Sequence, residues 1–77
     1  MEICNLFGKN VKKYRLKSKL SQEKLGELTG LHRTYISDIE RGLRSISLNN
    51  IDKLSKALNI TIEELLNLEY EEYNPFY

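Results

Sequence analysis

The chain has 77 residues, of which 40% are hydrophobic and 30% charged, with one cysteine and a formal net charge of +1. This length makes a single domain, and a chain so short buries only about 60% of the surface its unfolded form exposes, so association would help it. A lone Cys4 excludes an intrachain disulfide framework, and no apolar run is long enough to span a bilayer.

The near-neutral total hides a division. Residues 1–44 hold ten Lys/Arg against five acids, a net +5, whereas residues 45–77 hold two lysines against six acids, a net −4. A basic half suits contact with a polyanion, and an acidic half suits the side facing away from it. The opening Met1-Glu2-Ile3 lacks the basic start and apolar block of a secretory signal. Together with the single thiol, this points to a cytoplasmic protein with no membrane partner.

The first predicted element is a helix over residues 3–19. Phe7, Val11 and Tyr14 recur at i, i+4, i+7, Ile3 extends the stripe backwards, and Lys9, Lys12, Lys13, Lys17 and Lys19 occupy the other faces. Gly8 weakens its beginning, so the helix is expected to start properly after it. Two short helical patterns then meet at Thr29-Gly30-Leu31. The first has Ser21 as N-cap, with Leu25 and Leu28 on one face; the second has Ile36 and Ile39 on one face, beside Tyr35 and Glu40. Gly30 stands where the chain must turn. Gly26 would cost about 1 kcal/mol against alanine in an exposed helix, so its expected use is close approach of the second helix. A corner of this kind, over about residues 21–41, follows the logic of a helix-turn-helix, whose second helix enters the DNA major groove.

A fourth helix opens at Ser47 and runs to about Leu58, with Leu48, Ile51, Leu54, Ser55 and Leu58 in the 3.6 period and Asn59 suited to the left-handed position after it. A fifth follows the capping box Thr61-x-x-Glu64. Ile60, Ile62, Leu65, Leu66 and Leu68 are more apolar residues than one short helix can bury at home; some could complete the core, but the surplus predicts a dimer seam and assigns about residues 46–77 to dimerisation. The last stretch, Glu69 to Tyr77, is acidic and aromatic, and its rings are expected to pack back across the domain or the dimer interface.

Residues 22–41 resemble the helix-turn-helix of the phage repressor/Cro (XRE-type) family: Gln22 opens the motif, a small residue follows Leu25, a glycine holds the turn, and Ile36 and Ile39 anchor the reading helix. Inside that match, R-T-Y-I-S-D-I-E-R-G-L-R-S-I-S-L-N-N-I, from Arg33 to Ile51, resembles the controller proteins of restriction–modification systems. The broader resemblance runs from about Phe7 to Leu66. It implies an all-α, five-helix, lambda-repressor-like DNA-binding domain acting as a homodimer. It also implies that Arg15 faces inward and pairs with Glu40, fixing orientation more than adding stability. The narrower one implies a regulator that binds operators upstream of its own gene and of the endonuclease gene.

Enzymatic chemistry finds no support. His32 is the single histidine, no Cys/His/Asp group has metal-ligand spacing, and neither a cofactor nor a small-molecule ligand is expected. Double-stranded DNA fits better. Arg33, Thr34 and Tyr35 form the first turn of the reading helix and Ser37 lies one turn on, so these four are the candidate base contacts. An arginine can hold guanine O6 and N7 together, worth about 1–3 kcal/mol of discrimination. Gln22, His32, Arg44, Ser45, Arg41 and Lys24 are the candidate phosphate contacts, which position the protein without encoding sequence. Tyr35 has a second reading, with its ring sealing the helix against the domain. One short helix binds weakly, so a dimer with its reading helices about 34–36 Å apart and a palindromic operator is expected. A phage-type or host repressor, and an antitoxin or adaptor using the same fold for protein contacts, are the rival readings.

Overall fold

The computed structural model describes residues 2–68, which form five helices: α1 (Glu2–Lys17), α2 (Gln22–Thr29), α3 (Arg33–Glu40), α4 (Leu48–Leu58) and α5 (Ile62–Leu65). The described residues contain no strand, and none of their helices is long and apolar enough to cross a membrane. The expected packing of the Glu69–Tyr77 stretch lies outside the described residues.

α1 starts earlier than the sequence suggests and runs straight through Gly8. The reason is packing. A side chain at Gly8 would collide with the backbone carbonyls of Ile39 and Glu40, so the glycine lets α1 lie directly against the end of α3. That close contact outweighs the roughly 1 kcal/mol a glycine costs inside a helix. The expected stripe shifts accordingly: Cys4, Phe7 and Val11 are buried and Tyr14 packs at the edge, while Ile3 is exposed.

The corner between α2 and α3 is built from three small pieces of chemistry. Ser21 caps α2 by accepting the backbone N–H of Lys24 at 2.9 Å. Gly30 closes it in the left-handed conformation at φ 78°, where its N–H reaches the carbonyl of Gly26 at 2.8 Å. Thr29 Oγ1 donates to the carbonyl of Leu25 at 2.8 Å and accepts the N–H of Leu31 at 3.2 Å, tying the helix end to the turn. A Cβ on Gly26 would stand 2.6 Å from the carbonyl oxygen of Leu31, so this glycine sets how closely the turn and α3 approach α2.

Leu25, Ile36, Ile39, Leu54, Leu65 and Val11 fill the centre, with Phe7, Ile51 and Leu58 around them. Two leucines that share an apolar pattern with these lie outside. Leu28 is 52% exposed and Leu48, the first residue of α4, is 79% exposed. Each sits at the end of its helix, where the periodic face has already turned past its neighbours. Ser47 caps α4 through the N–H of Asn50 at 3.1 Å, and Asn59 closes it at φ 58°. Thr61 and Glu64 complete both halves of the capping box on α5.

Candidate nucleic-acid interface

His32 begins the reading helix. Its backbone is extended, and its Nδ1 accepts the N–H of Thr34 at 3.1 Å. A ring that accepts at Nδ1 carries its proton on Nε2, leaving one N–H donor facing outward at a helix N-terminus, where backbone dipoles favour an anion. Arg33 and Thr34 follow on the exposed first turn, while Ile36 and Ile39 point into the core. Ser37, one turn further, is half-buried. Two of the four candidate base contacts therefore stand free, and a third lies lower on the same helix.

Tyr35, the remaining candidate, is half-buried. Its ring packs against the core, and its hydroxyl accepts a hydrogen bond from Asn50 Nδ2 of α4 at 3.0 Å. The side chain thus braces α3 from behind, the sealing position the sequence also suggests. The guanidinium of Arg44 lies over the other part of the ring, 5.3 Å from its centroid.

Behind the helix sits a buried polar cluster. Arg15 Nε donates to Glu40 Oε2 at 2.6 Å and Arg15 Nη2 to Glu40 Oε1 at 3.0 Å, a two-pronged pair with side chains only 9% and 2% exposed. Arg15 Nη1 adds the carbonyl of Leu20 at 2.8 Å, which ends the α1–α2 connection. Gln22 Nε2 donates to Glu40 Oε1 at 3.0 Å. One carboxylate therefore joins α1, the first residue of α2 and the last residue of α3. The amide of Gln22 keeps one N–H for an outside acceptor.

The flank after α3 is also more organised than a row of free cations. Asp38, with its side chain 19% exposed, takes Arg41 Nη2 on Oδ1 at 3.0 Å and Arg44 Nε on Oδ2 at 3.2 Å. Ser45 is exposed beside them, and Lys24 is exposed on α2 with Glu27 at 3.5 Å. Asp38 pairs its neighbours, one of the two roles its sequence position suggests, whereas the part played by Asn50 has no sequence signal. The spacing of Asp38 to Arg41, three residues along a helix, is what makes that pairing possible.

The apolar residues assigned to a seam divide. Leu65 is 0% exposed and belongs to the protomer's own core, which removes it from the expected dimer interface. Its helix is drawn inward by Asn10 of α1, whose Nδ2 donates to the Leu65 carbonyl at 2.6 Å. Ile60 and Leu68 pack half-buried at the core's edge, and Ile62 and Leu66 are exposed.

A family model described as helix-turn-helix matches residues 11–65. The chain belongs to the helix-turn-helix family. Within it, this helix-turn-helix protein is 59% identical over 63 residues to the control protein C.BamHI of Bacillus amyloliquefaciens, covering 80% of this chain and 78% of that protein. The restriction-modification controller protein C.AhdI of Aeromonas hydrophila has a solved structure that superposes with a TM-score of 0.83 at 43% identity, covering 84% of this chain and 98% of the other. SinR, a master regulator for biofilm formation solved in complex with DNA, superposes at 0.76 with 32% identity over 79% of this chain and 98% of that one. The helix-turn-helix of the phage repressor/Cro type anticipated from Gln22 to Arg41 is the family the chain belongs to, and its function is sequence-specific DNA-binding regulation of transcription.

Proposed function

We propose that this regulator is the controller of a restriction–modification system, binding palindromic operators as a homodimer and governing its own gene and that of an endonuclease. The observation that carries this reading is the exposed first turn of α3, where Arg33 and Thr34 face outward on a helix fixed from behind by Tyr35 and the Arg15–Glu40–Gln22 cluster. Its likeness to the control protein C.BamHI supports the finer assignment. Arg33 reads a guanine edge, Thr34 and Ser37 contact neighbouring bases, and Gln22, His32, Arg41, Arg44, Ser45 and Lys24 meet phosphates on either side. Ile62 and Leu66, with the edges of Ile60 and Leu68, form the dimer seam; two copies place their α3 helices one DNA turn apart. The protein works in the cytoplasm, where its operators lie.

A mobility shift with the gene's own upstream DNA, at two salt concentrations, tests this. A dimer neutralising roughly six to ten phosphates loses about 10³–10⁵ in affinity between about 50 and 200 mM salt. Retarded complexes on the upstream DNA but not on a scrambled duplex are expected, with a methyltransferase and an endonuclease gene alongside. Equal binding to both duplexes, or to neither, refutes the proposal.

A further inference from the structure

A carboxylate on a surface that meets phosphate opposes binding by its charge alone. Asp38 stands in the middle of α3, on the element that enters the groove. Its two oxygens are both engaged, with Arg41 Nη2 at 3.0 Å and Arg44 Nε at 3.2 Å. The bond to Nε is informative because it leaves the four terminal N–H groups of the Arg44 guanidinium directed elsewhere. The face of that same guanidinium rests on the Tyr35 ring, and the Tyr35 hydroxyl is held in turn by Asn50 from α4. The turn carrying Arg44 is closed by a bond from the N–H of Leu43 to the carbonyl of Asp38 at 2.9 Å. Arg44 is thus held at its Nε by a carboxylate and at its guanidinium by a ring, and follows a residue tied to α3, while 55% of its side chain remains open to solvent.

We infer that Asp38 is a positioning residue for DNA recognition: with Tyr35 and Asn50 it fixes the Arg44 guanidinium at the flank of the reading helix, so that operator binding depends on a negative charge that repels DNA. A free arginine side chain would lose much of its rotamer freedom on binding; one already held in place loses little. The cost of the negative charge falls on all DNA alike, because repulsion by phosphate carries no sequence information. The benefit falls on the operator, because base contacts from α3 fix one register there and bring one phosphate to the pre-placed Arg44, whereas a random duplex fixes none. The inference rests on the DNA-binding reading, and its first measurement is made without DNA so that the two fail separately.

In the free protein, the Arg44 Nε–H gives a resolved, slowly exchanging NMR resonance that Asp38→Asn shifts and Asp38→Ala removes. A resonance indifferent to both variants overturns the inference. In binding, Asp38→Ala weakens affinity for an operator selected by the wild-type protein about tenfold, the factor that 1.4 kcal/mol represents, and leaves affinity for a random duplex of equal length unchanged or tighter. Asp38→Asn, which keeps one acceptor oxygen, falls between. In an Arg44→Ala background, Asp38→Ala produces no further loss on the operator. Tightening on both duplexes by one factor makes Asp38 a simple repelling charge, and equal weakening on both with a lowered melting temperature makes it a structural residue. Either result overturns the inference, as does a full loss in the Arg44→Ala background.

Discussion

Glu40→Ala removes the carboxylate on which α1, α2 and α3 converge. Arg15 is then left in a nearly closed site with the Leu20 carbonyl, at 2.8 Å, as its remaining described partner. Breaking one side of a buried, hydrogen-bonded ion pair costs about 3–5 kcal/mol, since the surviving charge keeps its desolvation penalty and loses its compensation. A domain of 77 residues has roughly 4–12 kcal/mol of total stability, so the single substitution removes a large part of it. The melting temperature should fall by at least about 12 °C at matched protein concentration, taking roughly 4–8 °C per kcal/mol for a domain of this size. Replacing both partners, as Arg15→Met with Glu40→Leu, removes both charges and should recover most of the loss. DNA affinity should not recover with it, because Gln22 has lost the acceptor that holds its amide at the head of α2. Circular dichroism melts paired with binding to a specific and a random duplex separate the two effects. A Glu40→Ala variant within about 1 kcal/mol of the parent, or a double variant less stable than the single one, would refute this picture of the cluster.

Gly26→Ala gains about 1 kcal/mol of helix propensity, yet its methyl group would stand 2.6 Å from the Leu31 carbonyl. Overpacking of this kind costs about 1–3 kcal/mol and splays the corner, so thermal melts should show a net loss and DNA affinity should drop. Ile62→Asp with Leu66→Asp places charges on two exposed seam residues while sparing the buried Leu65. Sedimentation should then report a monomer of unchanged helicity with operator affinity reduced at least about a hundredfold, since one half-site alone is held weakly. A dimer that persists in that variant would move the seam elsewhere on the surface.

How much of this was legible in the sequence depended on whether a residue's role was local. Caps and turns were readable because their chemistry acts within four residues: Ser21, Gly30, Ser47, Asn59, Thr61 and Glu64 all sit at the helix ends their side chains suggest. Apolar periodicity found the core positions in the middle of each helix and misjudged several of those at the ends. Leu28 and Leu48 obey the spacing and face solvent, because the period says which side a residue lies on, not how far the neighbouring helix extends. Leu65 went astray for the opposite reason. A one-turn helix gives too short a pattern to divide an inner residue from an outer one, and the bond from Asn10, 55 positions away, decides which it is. Gly8 looks like a weak start until the backbone of α3 is placed across it. In the interface, the outer position of Arg33 and Thr34 followed from the apolar side of their own helix. Tyr35, by contrast, takes its place from Asn50 on another element, which no local pattern contains.

The most direct test of a reading helix with Arg33 at its front is selection of bound duplexes from a random pool, run in parallel with the parent and Arg33→Ala. The parent should enrich a palindrome whose half-sites lie one helical turn apart, and the variant should return the same palindrome with one base pair per half-site no longer specified. Enrichment of no common sequence by the parent, or of an unchanged one by the variant, would contradict it.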